Sequence, residues 1–222
     1  MTSSLVTATP IVTVRRTAVS HLDNNVYLLT SRASGQQILI DAADEPDAIA
    51  ALVADAAGDA DVPAPRIAVI VTTHSHPDHV RALAELAART GAVVVAGRDD
   101  AAEITARTGV VVGRSVAHGE TVGVDGVELA VIGLRGHTPG SIALAYAEPG
   151  QAVALFTGDS LFPGGVGNTW GDPDRFASLI DDVTERVFGR YGDDTVVHPG
   201  HGAPTTLGAE RPHLGEWRAR GW

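Results

Sequence analysis

The stretch VTTHSHPDHVRAL, residues 71–83, places three histidines and one aspartate within six positions, directly after a strand-like run of β-branched residues. The four polar residues are His74, His76, Asp78 and His79, and the last two are predicted to open a helix over residues 78–89. A connection from a strand to a helix can hold four such side chains close together. Imidazole and carboxylate groups bind metal ions, but a motif of this kind taken alone is more often a hydrogen-bonded loop, so the rest of the chain decides between the two interpretations.

Three further potential ligands also follow apolar, strand-like segments. They lie in the motifs LAVIGLRGHTPGS, AVALFTGDS and TVVHPGHG, and they are His137, Asp159 and His201. A glycine, which permits a tight turn, directly precedes each of them. Open α/β sheets place their sites beyond strand ends, so we expect all these side chains to share one site.

The size of the ligand set indicates how many metal ions the site holds. Three protein ligands and a water suffice for one catalytic zinc, so seven candidate ligands predict two divalent ions. The sequence contains no cysteine, which leaves nitrogen and oxygen as the donor atoms. Imidazole nitrogens favour zinc, with iron and manganese as alternatives, and one carboxylate could bridge the two ions.

Composition and charge narrow the class of protein. The chain has 222 residues, of which 44% are hydrophobic and 19% charged, as in globular proteins. Sixteen basic residues, all arginine, against 27 acidic ones give a formal net charge of -11, which argues against a nucleic-acid partner. The sequence shows neither a secretory signal pattern nor an apolar run long enough to cross a membrane. We therefore expect a cytoplasmic protein with a small-molecule substrate, and its oligomeric state stays open.

Short apolar runs alternate with alanine-rich or amphipathic segments, a pattern typical of an α/β fold. Strands are predicted at residues 11–14, 26–30, 37–40, 67–72, 93–96, 127–132, 142–147, 152–156 and 195–197. Helices are predicted at residues 47–57, 78–89, 100–107 and 173–188. The glycine-rich segment 158–173 lacks the lysine and the spacing of a nucleotide-binding loop, so nucleotide binding is not predicted.

At these motifs the sequence resembles the metallo-β-lactamase-fold hydrolase superfamily, and within it the hydroxyacylglutathione hydrolase (glyoxalase II)-like branch. The signature His-x-His-x-Asp-His stands here as HSHPDH, and the later motifs stand in order as GHTPGS, TGDSLF and PGHG. An aspartate that ends an early strand matches Asp41 in ILIDAAD. The resemblance covers residues 41–201 and implies a four-layer αββα sandwich. We expect a single metallo-β-lactamase-like domain over residues 1–222.

The resemblance also implies a role for each candidate ligand. The first ion would be held by His74, His76 and His137, the second by Asp78, His79 and His201, and Asp159 would bridge them. Asp41 would orient the metal loop rather than bind an ion. Phe162, Asn168 and Trp170 follow the bridging aspartate and are candidates for a substrate pocket.

The remaining histidines are not predicted to be ligands. His21, His118 and His213 have no second ligand at a useful spacing and are expected to be surface or hydrogen-bonding residues. His198 precedes the PGHG turn, and whether it approaches the site stays open at this point.

The sequence departs from the family pattern in two places. The family often continues its signature with paired glycines, where this chain has Val80, Arg81 and Ala82. Glyoxalase II carries a C-terminal helical domain that contributes to glutathione recognition, whereas 21 residues follow His201 here. We therefore expect no separate C-terminal substrate domain and weak recognition of glutathione.

The implied chemistry is hydrolysis. Two dications that share a water lower its pKa from about 15.7 toward roughly 7, which yields a bridging hydroxide as the nucleophile. Asp78 could orient this hydroxide as well as bind an ion. A thiolate leaves without a proton, so a small thioester is favoured over an amide. The alternatives are a lactonase or another hydrolase of this fold, an iron-dependent persulfide dioxygenase, and a metal-binding module without catalytic activity.

Overall fold

The structure, a computed structural model, describes residues 3–221 and contains two β-sheets packed face to face. The first sheet follows chain order and comprises β1 (Ser4–Ala8), β2 (Val12–Val19), β3 (Asn24–Ser31), β4 (Gln36–Ile40), β5 (Arg66–Thr72), β6 (Val93–Gly97) and β7 (Arg114–Val116). Strands β1 to β4 pair antiparallel, and β4 to β7 pair parallel.

The second sheet is built from the later part of the chain. Its strands are β8 (Thr121–Val124), β9 (Val127–Gly133), β10 (Ile142–Tyr146), β11 (Ala154–Gly158), β14 (Val196–Pro199) and β15 (Thr205–Thr206). They stand in the order β15-β14-β11-β10-β9-β8, and β11 pairs parallel with β14. Between β11 and β14 the chain forms a separate short hairpin of β12 (Leu161–Phe162) and β13 (Gly165–Val166).

Helices cover the outer faces of both sheets. The first sheet is covered by α1 (Pro46–Asp55), α2 (Leu83–Thr90) and α3 (Ala101–Thr108), and the second by α4 (Pro173–Asp182), α5 (Leu207–Glu210) and α6 (Leu214–Arg220). Two 3-10 turns, Pro77–His79 and Arg211–His213, and a π-helical turn, Val183–Phe188, complete the helical elements of residues 3–221. Across these residues no helix is both long and apolar enough to cross a membrane.

The alternation of side chains along the strands produces the layers. In β4, Leu39 packs toward the helices while Ile38 and Ile40 point between the sheets. In β10, Ala143 faces the helices of the other side and Leu144 faces the inter-sheet core. Burial on both faces explains why these strands are almost continuously apolar. The predicted four-layer αββα sandwich is confirmed.

The helix predicted from residue 78 begins later than expected. Asp78 and His79 lie in the 3-10 turn, and α2 starts at Leu83. The backbone N–H groups of Arg81 and Ala82 donate to carbonyls of residues 43 and 42, at 2.9 and 3.1 Å, so they are not available for a regular helix. That part of the helix prediction was wrong, because contacts with the segment after β4 hold the loop in another conformation.

Candidate metal centre

The polar motifs meet at one edge of the sandwich. Asp41 follows β4 and the HSHPDH loop follows β5, and these two strands are parallel neighbours. Asp159 and His201 follow β11 and β14, the parallel pair of the second sheet. Carboxyl ends of parallel strands lie at the same edge, so side chains far apart in sequence converge there. His137 joins them from the loop between β9 and β10.

All of the predicted ligands come together in this region. Their nitrogen and oxygen atoms form overlapping groups in which each atom lies within 4.8 Å of the others, namely His74/His76/His137, His74/His79/Asp159 and Asp78/His79/His201. We call the first of these the three-histidine group and the last the aspartate group. The arrangement therefore corresponds to two ligand groups connected through shared side chains.

Asp159 lies between the two groups. Its Oδ2 is 3.6 Å from Nε2 of His137 and 3.4 Å from Nε2 of His201. Its Oδ1 is 3.4 Å from Nε2 of His79. One carboxylate thus faces both the three-histidine group and the aspartate group, which is the position that a bridging ligand requires.

Hydrogen bonds at Nδ1 direct the imidazole rings. Nδ1 of His137 donates to the carbonyl of Asn168 at 2.9 Å, and Nδ1 of His201 donates to the carbonyl of Leu22 at 2.8 Å. A carbonyl can only accept, so the proton of each neutral ring sits on Nδ1. The lone pair of Nε2 is then free to bind a cation inside the cluster.

Asp41 holds His79 in the same way. Its buried carboxylate accepts from Nδ1 of His79 at 2.8 Å, and from N and Oγ1 of Thr73 at 2.7 and 2.8 Å. Both carboxylate oxygens are therefore occupied by donors of the loop. Within the part of the chain that the structure describes, Asp41 belongs to none of the ligand groups, and its orienting role stays a prediction.

Unpartnered buried atoms show that the cluster fits a cation. Nε2 of His74 and Nε2 of His137 are buried and make no hydrogen bond. Leaving such a polar atom unsatisfied typically destabilises a protein by about 1–3 kcal/mol. A metal ion would satisfy both nitrogens at once, and the donor set of imidazoles and carboxylates suits a divalent transition metal.

The two groups differ in their charge. Burial opposes a charge on His79, but Asp41 and Asp159 outweigh it and raise the pKa of His79 to about 10. Burial is likewise outweighed at His201, where hydrogen bonds with Asp159 and Asp78 raise the pKa to about 10. Burial lowers the pKa of His76 to about 4. Without ions, the carboxylates thus favour a proton on the pair His79 and His201, whose Nε2 atoms lie 3.2 Å apart so that one accepts from the other, whereas burial keeps His76 neutral at neutral pH.

This difference predicts that only one of the two groups releases protons when it binds a metal ion. Because metal binding requires neutral imidazole, the aspartate group should release about one proton at pH 7, which His79 and His201 share, and the three-histidine group about none. The affinity of the aspartate group should therefore rise with pH between neutrality and pH 10. Calorimetric titration of the metal-free protein in buffers with different ionisation enthalpies measures the released protons. Equal release in both binding steps would contradict the charge assignment.

One buried polar residue of the site was not found from the sequence. The side chain of Asn24 is fully buried, and its Nδ2 donates to Oδ2 of Asp78 at 2.9 Å and lies 3.4 Å from Nε2 of His201. Asn24 therefore positions the carboxylate of the aspartate group. The sequence gives little indication of this role, because an asparagine next to a turn is common in proteins.

An exposed tryptophan covers one side of the cluster. The ring of Trp170 stacks on His137, with centroids 5.3 Å apart, and contacts His76 edge-on at 5.3 Å, while 54% of the residue remains exposed. Arg175 lies 4.5 Å above the same ring. Of the other predicted pocket residues, Asn168 adjoins the site through its carbonyl, and Phe162 is half-buried in the β12–β13 hairpin. Trp170 is thus the pocket candidate that contacts the cluster most extensively.

The other histidines lie apart from the ligand groups. His21, His118 and His213 are exposed, as expected. His198 is buried between the sheets, where its ring stacks on Phe156 at 5.2 Å and contacts Tyr27 at 5.6 Å. His198 is therefore a residue of the core between the sheets and is not one of the candidate ligands.

Comparison with known proteins agrees with the fold and the motifs. The family model of the metallo-beta-lactamase superfamily matches residues 20–206. The chain is 35% identical to a hydroxyacylglutathione hydrolase of Fuscovulum blasticum, over 71% of this chain and 56% of that one. It is 36% identical to a hydroxyacylglutathione hydrolase of Anaeromyxobacter dehalogenans, over 81% of this chain and 61% of that one. The chain therefore spans between about half and two thirds of the length of these relatives.

Solved structures also agree with the fold. ETHE1 from Myxococcus xanthus superposes with a TM-score of 0.76 at 27% identity, and the match covers 93% of this chain and 84% of that one. TTHA1623 in a di-iron-bound form superposes with a TM-score of 0.67 at 30% identity, covering 88% of this chain and 96% of that one.

Proposed function

Since the chain belongs to the metallo-β-lactamase superfamily, we propose that it is a dinuclear metal-dependent hydrolase that cleaves a small ester-type substrate, preferentially a thioester. The observation that carries this proposal is the pair of ligand groups that face one shared carboxylate, Asp159. Curated relatives named hydroxyacylglutathione hydrolase support the choice of a thioester.

Each ligand group would hold one ion. The three-histidine group would bind the first ion and the aspartate group the second, with Asp159 as a ligand to both. The unpartnered Nε2 atoms of His74 and His137 support the first assignment. Zinc is the preferred ion for these donors, and iron and manganese are the alternatives. Because TTHA1623, a similar structure, was solved in a di-iron-bound form, iron is included among the metals to be tested.

The residues around the ions have distinct tasks in this proposal. When bound, two such ions supply Lewis acidity, which makes a water nucleophilic near neutral pH and polarises a carbonyl group. Asp78 would accept a hydrogen bond from the attacking water and so orient it, in addition to binding an ion. Asn24, which donates to Asp78 at 2.9 Å, would keep that carboxylate in place.

The rim of the site supports a substrate without a large anionic carrier. The loop GVGNTWGDP, residues 165–173, has no basic residue. Arg175 follows it, but its guanidinium donates to the carbonyls of Gly136 and His137 and lies against Trp170. The exposed Trp170 stacks on His137, and the exposed residue Leu22 accepts from Nδ1 of His201 through its backbone carbonyl. An apolar or small acyl group fits this rim better than a charged one.

Substrate profiling of the metal-reconstituted protein tests the proposal. We expect simple acyl-thioesters to be cleaved with kcat/KM comparable to or above that of S-lactoylglutathione, because remote binding energy from glutathione is not available to lower the barrier. Protein loaded with zinc, iron or manganese is assayed against both substrates and a lactone panel. A preference for the glutathione thioester of about a hundredfold, or roughly 2.7 kcal/mol, would contradict the weak recognition of the carrier.

The same experiment separates the alternatives. Activity confined to lactones would assign a lactonase. The second candidate is an iron-dependent persulfide dioxygenase, which the three-histidine group favours because its three side chains could hold one ion alone. Oxygen consumption with a persulfide substrate, together with one iron per chain and no second metal, would establish it.

A cytoplasmic location and the absence of nucleic-acid binding stay predictions.

Replacing Asp41 by asparagine tests its orienting role. The shape is kept, but an amide nitrogen cannot accept from Thr73 or His79. We expect a loss of about 10 to 100-fold in metal affinity or activity, as is typical when a partner of a metal ligand is removed. His76→Ala, which removes a proposed ligand, should lose more metal. Metal content after dialysis is compared for the two variants, with Asp44→Asn, at the half-buried ion pair with Arg81, as the control. Equal and complete metal loss in Asp41→Asn and His76→Ala would contradict the orienting role and would indicate that Asp41 is as necessary for metal binding as a ligand.

A further inference from the structure

A second buried carboxylate connects the loops of the three-histidine group. Asp100 is 1% exposed and lies directly before α3. Its Oδ2 accepts from the backbone N of Ser75 at 2.8 Å and from Oγ1 of Thr138 at 2.6 Å, and its Oδ1 accepts from the backbone N of Gly140 at 2.8 Å. Ser75 stands between His74 and His76, so one side chain ties both loops together.

The position of Asp100 makes these contacts unusual. It is the N-cap residue of α3, where an aspartate normally accepts from the first N–H groups of its own helix. Here the side chain makes no such cap hydrogen bond and instead accepts from residues of the loops that follow β5 and precede β10. The carboxylate of Asp100 thus makes three hydrogen bonds to the loops that carry the histidines, and it does not stabilise the start of α3 by capping.

The two loops approach each other closely around this carboxylate. A Cβ atom on Gly140 would lie 2.3 Å from the backbone N of Asp100, so a glycine is required at that position. The backbone N of Ile142 also donates to the carbonyl of Thr73 at 2.9 Å. The carboxylate is therefore enclosed by backbone from both sheets and has little freedom to move.

We propose that Asp100 is a positioning residue that holds the HSHPDH loop and the His137 loop in register, and thereby sets the metal affinity of the three-histidine group separately from that of the aspartate group. This inference rests on the proposed metal-dependent function. His74 and His76 come from the first sheet and His137 from the second, so their nitrogen atoms can face one ion only if the sheets are held in a fixed relation. Asp100 makes that connection through Ser75, Thr138 and Gly140.

Removing one acceptor should loosen this connection without touching a ligand. In Asp100→Asn, one oxygen becomes an NH2 group that faces a backbone or hydroxyl donor. Thr138→Val removes the hydroxyl donor and keeps the shape, whereas Thr138→Ser keeps the hydroxyl. Asp99→Asn is the matched control, because Asp99 is the neighbouring aspartate and is exposed.

Binding of zinc alone, measured by chelator competition, tests the inference. Each variant is placed in a His201→Ala background, which leaves the three-histidine group intact, and in a His76→Ala background, which leaves the aspartate group intact. In the first background we expect Asp100→Asn to weaken zinc binding by about 10 to 100-fold, Thr138→Val to weaken it less, and Thr138→Ser and Asp99→Asn to change it little. In the second background all four variants should bind zinc as their parent does.

Several results would overturn the inference. Equal weakening in both backgrounds, together with a lower Tm of the metal-free protein, would reduce Asp100 to a general structural role. Unchanged affinity in the His201→Ala background, or no zinc binding by the wild-type protein, would refute it directly. A wild-type protein that binds two ions and cleaves no ester or thioester would refute the proposed hydrolase and leave this inference intact.

Discussion

Asp159→Ala is expected to lower kcat/KM by about a thousandfold or more, which corresponds to roughly 4 kcal/mol of transition-state stabilisation. The carboxylate of Asp159 faces both ligand groups, at 3.6 Å from His137 and 3.4 Å from His201. Its loss would leave two metal charges less compensated and remove a ligand from each ion. Metal content and turnover should therefore fall together.

The measurement pairs elemental analysis with steady-state kinetics. Asp181→Ala, which removes an exposed carboxylate paired with Arg218, is the control and should keep both ions and full activity. Asp159→Asn should lie between alanine and wild type, because the amide retains one oxygen ligand but no charge. A variant without the Asp159 carboxylate that turns over like the wild type would disprove the assignment of the site.

Gly200→Ala is expected to have the second largest effect, although it alters no ligand. A Cβ at this position would lie 2.2 Å from Oδ1 of Asp159 and 2.9 Å from Cε1 of His79. The backbone cannot move away easily, because the N of Gly200 donates to the carbonyl of Gly158 at 2.8 Å and its carbonyl accepts from the N of Asn25 at 2.7 Å. Asp159 must shift instead, and a displacement of about 1 Å can reduce turnover by about a hundredfold.

A matched glycine separates this effect from backbone entropy. Gly215→Ala, in α6, places its Cβ in open space, so it should leave activity and metal content unchanged and raise the Tm slightly. For Gly200→Ala we expect a loss of about a hundredfold in kcat/KM with weaker binding of both ions. Retained activity would mean that the site tolerates the displacement of Asp159.

The convergence of the candidate ligands could be predicted from the sequence because each of them lies in a loop that follows an apolar strand. His137, Asp159 and His201 each follow such a segment with a glycine before them, and the sandwich fold brings these strand ends to one edge. Burial on both faces made the central strands recognisable as continuous apolar runs. The short edge strands β1, β7 and β8 carry no such pattern and were not predicted.

The partners of the ligands could not be predicted in the same way. Asn24 contacts Asp78 across 54 positions, and Asp100 contacts Gly140 across 40. Such hydrogen bonds depend on how the sheets pack, and a single buried asparagine or aspartate resembles a turn or cap residue in the sequence. The start of α2 was misplaced for a similar reason, since the N–H groups of Arg81 and Ala82 bind carbonyls near residue 42.

The most direct test of the central claim is anomalous diffraction from crystals of the zinc-reconstituted protein. The account predicts two peaks about 3.5–4 Å apart, with Asp159 as a ligand to both. One ion should lie about 2.0–2.1 Å from nitrogens of His74, His76 and His137, and the other at similar distances from Asp78, His79 and His201. A single peak, or ions bound away from these side chains, would contradict it.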